Sequence, residues 1–139
     1  MSSEIKVFEI PVDHTVELWP DVEKFIAESL RHSDGELTTE EARVYVTQGL
    51  WSLIGVFDAA HNLVGALVIQ YFNRVRDRVA FVVAFGGKNI LYPETFQQFS
   101  AILKTNGATC IEGGVRDSVS RLLRRYGFIP KYRIVKFSL

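Results

Sequence analysis

The spacing of apolar residues changes several times along the chain. Residues 5–10 alternate, with Ile5, Val7 and Phe8 apolar, until Pro11 ends a short strand near a sheet edge. Val22, Phe25, Ile26 and Leu30 then recur at helical spacing and define one buried face; Pro20 suits a first turn, so the pattern predicts a helix over 20–32. Ser33, Asp34 and Gly35 break it. Thr38 and Glu41 stand at capping-box spacing, in which hydroxyl and carboxylate satisfy free backbone donors, and predict a second helix over 39–48 closed by Gly49.

From Trp51 the period becomes that of strands. Residues 51–57 and 62–72 flank a turn-rich stretch and form a hairpin. The polar run Arg74 to Arg78 turns the chain again into residues 79–85, apolar on both faces and therefore central in a sheet. Gly86, Gly87, Lys88 and Asn89 stop that strand. Pro93 starts a helix whose buried face is Phe96, Phe99, Ile102 and Leu103, and Asn106-Gly107 ends it. A strand over 109–115, a helix over 117–126 capped by Asp117 or Ser118, and a last strand over 133–139 complete the order β, α, α, β, β, β, α, β, α, β. No linker or repeat divides the chain, so residues 1–139 are read as one domain.

Composition supports a folded α/β (α+β) domain. A chain of 139 residues buries roughly two-thirds of the surface it exposes when unfolded, and 47% hydrophobic with 23% charged residues is the balance of a globular protein, which excludes intrinsic disorder. The start MSSEIKVFEI lacks a basic region followed by an apolar one, and no apolar run reaches bilayer length, so a soluble, cytoplasmic protein without membrane partners is expected. Cys110, the lone cysteine, has apolar neighbours and reads as an inert core thiol. Trp19 and Trp51 read as core anchors, and Ser118 and Ser120 as caps or surface hydroxyls. His14, His32 and His61 have no second ligand at metal spacing, and no metal site is expected. Net charge is zero, yet residues 1–50 carry 11 acids and 4 bases, whereas 115–139 carry 1 acid and 7 bases. That asymmetry fits either an anionic ligand near the basic end or two oppositely charged faces of one domain.

Three passages, GVFDAAHNLVGALVI, the strand–glycine–helix stretch from Val79 to Asn106, and VRDSVSRLLRRYGF, occur in an order that resembles the GNAT N-acetyltransferase superfamily. The likeness covers about residues 51–139, with Gly65 after the hairpin turn and Gly127-Phe128 after the last helix. GATCIE with the arginine and short Leu-rich helix that follow is also similar to small GNAT-like proteins of phages and prophages, for which the host cytoplasm would be the location. The resemblance implies a mixed, mostly antiparallel sheet of about six to seven strands flanked by about four helices, of the acyl-CoA N-acyltransferase type. It further implies that the fourth strand parts from the fifth and that acetyl-CoA, the cosubstrate, lies in the opening. The residues that would hold it are Val83, Ala84 and Phe85 on the strand, Gly86, Gly87, Lys88 and Asn89 in the loop, and Arg116 near the end of the fifth strand. Backbone donors and a helix dipole favour a pyrophosphate there, and glycines let it approach.

Acetyl transfer to an amine needs a base for the ammonium proton and an acid for the leaving thiolate. Glu112 is the candidate base and Tyr126 the candidate acid. The chain also departs from the family pattern. FGGKNI does not match the usual loop motif, Glu94 puts a negative charge in the first turn of the helix, and Leu123 fills the position of the usual tyrosine. Tyr126 lies about 300° further round the helix. Two readings stay open: an acetyl-CoA-dependent N-acetyltransferase acting on a primary amine of a small molecule or protein, and a catalytically inactive GNAT-like binding or structural protein. Nucleic-acid binding through Arg74, Arg76, Arg78 and the basic end ranks third and is not expected. Exposed strands also allow a homodimer.

Overall fold

The computed structural model describes residues 4–32, 35–88 and 90–139. Strand β1 (Lys6–Ile10) is followed by a 3-10 turn (Val12–His14) and helices α1 (Thr15–Leu30) and α2 (Thr39–Thr47). Then come β2 (Ser52–Phe57), β3 (Leu63–Asn73), β4 (Arg78–Gly87), α3 (Pro93–Thr105), β5 (Cys110–Gly113), α4 (Asp117–Leu123) and a closing 3-10 turn (Arg124–Tyr126). The strands lie in the order β1-β2-β3-β4-β5, antiparallel from β1 to β4, with β5 parallel to β4 because α3 forms the crossover.

The period-two alternation of the strands sends apolar side chains to both faces, and each face is covered. On one side Trp19, Val22 and Ile26 of α1 and Ala42 and Val46 of α2 pack on Leu53, Ala66, Val68 and Ala84. On the other, Phe99 and Leu103 of α3 pack on Ile5, Val7, Ile54, Val56, Leu67, Ile69 and Ala80. Gln98 of α3 clamps β1 across the layers, its amide oxygen accepting from Val7 N–H at 2.9 Å and its amide nitrogen donating to the Ile5 carbonyl at 2.6 Å. The capping box forms: Thr38 Oγ1 accepts from Glu41 N–H at 3.1 Å, and the Glu41 carboxylate accepts from Thr38 N–H at 2.9 Å. Among the described residues no helix is long and apolar enough to cross a membrane.

Four expectations change. The sheet has five strands, fewer than the six to seven implied by the resemblance, because residues 133–139 form no strand. Ile134, Val135, Phe137 and Leu139 are each largely exposed, and Pro130 ahead of them lacks a donor; strand propensity without a ladder and a face to bury does not make a strand. Helix α1 starts at Thr15, so Pro20 lies inside it. Thr15 is itself buried and donates its hydroxyl to the Val12 carbonyl at 2.7 Å, so packing ahead of the proline outweighs the one helical hydrogen bond that Pro20 cannot make. Helix α4 is N-capped by Arg116, with no side-chain hydrogen bond, and neither Asp117 nor Ser118 fills that position. Cys110 is half-buried on the edge strand rather than within the core, and burial raises its thiol pKa. The predicted break at Ser33-Asp34 lies outside the described residues.

Leu103 is 1% exposed on the α3 side of the sheet. Leu103→Ala should therefore lower unfolding stability in urea by about 2–5 kcal/mol, whereas Val75→Ala, at a fully exposed turn position, should stay within about 0.5 kcal/mol.

Candidate active site

Two irregularities of the sheet coincide on β4. The parallel ladder with β5 runs from Val79 opposite Cys110 to Val82 opposite Gly113 and ends there. On the other edge, the register with β3 passes from Val82 opposite Ile69 to Ala84 opposite Val68, leaving Val83 as the extra residue of a β-bulge. A bulge bends its strand and increases local twist, and this one lies directly after the last β4 residue that pairs with β5. Gly113, the last residue of β5, and Gly114 after it carry no side chain into the gap.

The result is an open cleft of about 680 Å³. Its walls are the end of α1 (Glu28, Ser29, Leu30) with Arg31 and His32, the end of β4 (Val83, Phe85, Gly86, Gly87), the following loop (Ile90, Leu91, Tyr92), and the passage from β5 into α4 (Gly114, Val115, Arg116, Val119). Helix α1 can lie this close because residue 86 is glycine: a Cβ there would overlap the carbonyl oxygen of Phe25. Gly87 has φ +116°, in the region that favours glycine, and its Cβ would overlap the backbone of Val64 and Gly65. The Gly-Gly pair is thus fixed by packing and backbone conformation as well as by its place at the cleft.

Solved structures share this architecture over nearly the whole chain. An aminoglycoside acetyltransferase from an uncultured soil metagenomic sample matches with a TM-score of 0.70 at 8% identity, over 98% of this chain and 99% of that one. The fold is that of the GNAT acetyltransferases. An aminoglycoside N-acetyltransferase solved in complex with CoA matches with a TM-score of 0.67 at 10% identity, covering 100% of this chain and 97% of its own. An aminoglycoside antibiotic 6'-N-acetyltransferase from Acinetobacter baumannii gives 0.63 at 15% identity, covering 98% of each chain. No protein-family model matches the chain, and no curated protein matches it by sequence.

On this GNAT fold the residues expected to hold a ligand divide into groups. Val83, Phe85, Gly86, Gly87 and Arg116 line the cleft. Ala84 turns its side chain into the core under α1 and α2, and Lys88 is exposed outside the lining. Asn89 lies outside the described residues. Two amides already have partners: Phe85 N–H donates to Ser29 Oγ at 3.2 Å, and Lys88 N–H donates to the Val64 carbonyl at 2.9 Å. Arg116 and His32, both in the lining, meet each other, Nη1 to Nδ1 at 3.4 Å.

The two candidate catalytic side chains lie outside the lining. Tyr126 donates its hydroxyl to the carbonyl of Leu91, a wall residue, and its ring sits 4.9 Å from that of Phe96. Glu112 is on the paired part of β5, opposite Phe81, in an ion pair with Arg74 and 3.3 Å from Lys131 Nζ. The Arg74 hydrogen bond holds its carboxyl below the usual carboxylate range. Sequence reasoning missed the α1 wall, Glu28 to His32. The only local trace is a polar end on an otherwise amphipathic helix, and the contact that matters links Phe25 to Gly86 across the chain.

Because the folded-state pKa of Glu112 is depressed, the unfolded chain binds the proton first as pH falls. The stabilisation is complete above the unfolded value of about 4.3 and is lost as pH falls through the lower folded value. Thermal melts from neutral to acid pH should therefore show a shallower loss of midpoint below about pH 4.3 for Glu112→Gln than for the parent chain.

Proposed function

We propose that this chain is an acetyl-CoA-dependent N-acetyltransferase that moves an acetyl group from the thioester to a primary amine of a small molecule or protein. The observation that carries the reading is the cleft: β4 keeps its ladder with β3 as far as Gly87 while its ladder with β5 stops at Val82. That leaves strand backbone facing a cavity of about 680 Å³, inside the range of roughly 300–1,000 Å³ usual for small-ligand sites. An extended chain with amide groups, such as a pantetheine arm, can pair with such backbone as a strand would. Val83, Phe85, Gly86 and Gly87 are suitably placed, and Arg116 offers charge to a phosphate. The neighbours described as acetyltransferases, one of them bound to CoA, support the same reading.

In the reaction the amine nitrogen, once deprotonated, attacks the thioester carbonyl; the carbon–nitrogen bond forms, the carbon–sulfur bond breaks, and the thiolate takes a proton. Backbone N–H groups of the β4 end stabilise the developing oxyanion. In this reading Glu28 and His32 face the entering amine, Tyr126 supports the cleft wall through Leu91, and Glu112 holds Arg74 and Lys131 on β5. The paired amides of Phe85 and Lys88, and Glu94 in the first turn of α3, favour the second reading of a GNAT-like protein that no longer transfers acetyl groups.

Calorimetry and thermal unfolding with acetyl-CoA separate the two. Acetyl-CoA at about a hundred times its dissociation constant should stabilise the chain by about 2.7 kcal/mol, and an amine panel should release free CoA thiol. Val119→Trp, which fills the cleft from α4, should weaken binding at least about tenfold, or 1.4 kcal/mol, without lowering the ligand-free melting temperature. Absence of both heat and thermal shift at millimolar acetyl-CoA would exclude the transferase.

A further inference from the structure

The direction of each backbone group at the end of β4 follows from the ladder with β3. Lys88 N–H donates to the Val64 carbonyl at 2.9 Å, and successive residues of an antiparallel strand turn their N–H and C=O to opposite edges. Counting back from Lys88, Gly87 and Phe85 direct theirs away from β3, toward the edge that β5 leaves after Val82. At Phe85 that edge is already occupied: its N–H donates at 3.2 Å to the hydroxyl of Ser29, the penultimate residue of α1. The other wall of the opening is met just past the same helix end, where Arg116 Nη1 lies 3.4 Å from His32 Nδ1. The end of α1 is thus tied to β4 by Ser29 and to the passage from β5 into α4 by His32.

We propose that Ser29 is an internal competitor for the ligand: its hydroxyl holds the Phe85 donor while the cleft is empty and yields it to a carbonyl of the ligand's amide arm. This role rests on the transferase reading of the cleft and names the residue that sets how tightly the arm is held. Ser29 is half-buried on the last turn of α1, and that turn is seated against Gly86 by the close approach of the Phe25 backbone. The hydroxyl has a second place to rest. A serine on a helix can turn its O–H to the carbonyl four residues before it, which here is that of Phe25, so release needs rotation about one side-chain bond and no movement of α1. Once released, Phe85 presents a donor and an acceptor on one edge, the pair with which a strand receives an amide. A ligand that must first displace a latch binds more weakly in proportion to the latched population, by about two- to tenfold for one net hydrogen bond.

Two measurements on the full chain test this role. In the ligand-free protein, Ser29→Ala should shift the Phe85 amide proton upfield and speed its exchange with solvent, because the acceptor is gone, whereas Ser29→Thr, which keeps the hydroxyl, should leave both near the parent values. Calorimetry with acetyl-CoA should then give Ser29→Ala a dissociation constant about two- to tenfold lower than that of the parent. The nucleotide half of CoA, 3′-phospho-ADP, has no amide arm and should bind both chains alike, which a general widening of the cleft would not produce. An unmoved Phe85 amide in Ser29→Ala, an acetyl-CoA affinity unchanged or weaker, or an equal gain for the nucleotide alone would overturn the role of Ser29. Binding of acetyl-CoA to the parent with no gain in Ser29→Ala removes this role alone; failure of acetyl-CoA to bind either chain removes the transferase reading and the role with it.

Discussion

Helix α1 rests on the end of β4 through backbone, and the shape of the cleft depends on that contact. With a side chain at position 86 the Phe25 carbonyl could not occupy its present place, and the last turn of α1 would be lifted from the sheet. Close packing of this kind is inelastic, because displaced atoms in a dense interior have nowhere to go. Glu28 and Ser29 are carried to the cleft on that turn, and His32 follows just beyond it. The Ser29 hydroxyl then meets the Phe85 amide, so one contact sets both the width of the cleft and the state of its backbone donors.

The second wall depends on the sheet. An unbroken parallel ladder would have carried β5 alongside β4 to its end and closed the gap. The pairing ends instead beside the bulge at Val83 and the glycines Gly113 and Gly114, at a modest cost in backbone hydrogen bonds. The rest is conventional packing of helices on two faces, and the sheet under them is continuous. An extended ligand in the cleft restores to β4 the partner that β5 withholds.

What was legible from sequence was what depends on neighbours in sequence. Thr38 and Glu41 face each other across one turn, and their capping box forms as read. The hairpin of β2 and β3 and the apolar stripe of α3 follow from alternation and from helical spacing in the same way. The last strand differs because alternation states only that a segment could pair, and among the described residues 133–139 join no ladder of the sheet. The site was legible in part. Gly86 and Gly87 were recognised as places where something approaches closely, but the nearest groups are Phe25 and Val64, each distant in sequence. The charge partner of Glu112 is likewise 38 residues away, on the far side of β4, and no local pattern announces it.

The central claim is that the end of β4, unpaired on its β5 side, receives an extended amide-bearing ligand. The most direct measurement is the change in backbone amide chemical shifts across the chain as CoA is titrated in. We expect the shifts to concentrate at Val83 to Gly87 and at Gly114 to Arg116, with the Phe85 amide among the largest because it must exchange Ser29 for the ligand. Saturable shifts confined to other surfaces, with residues 83–87 unmoved, would contradict the claim.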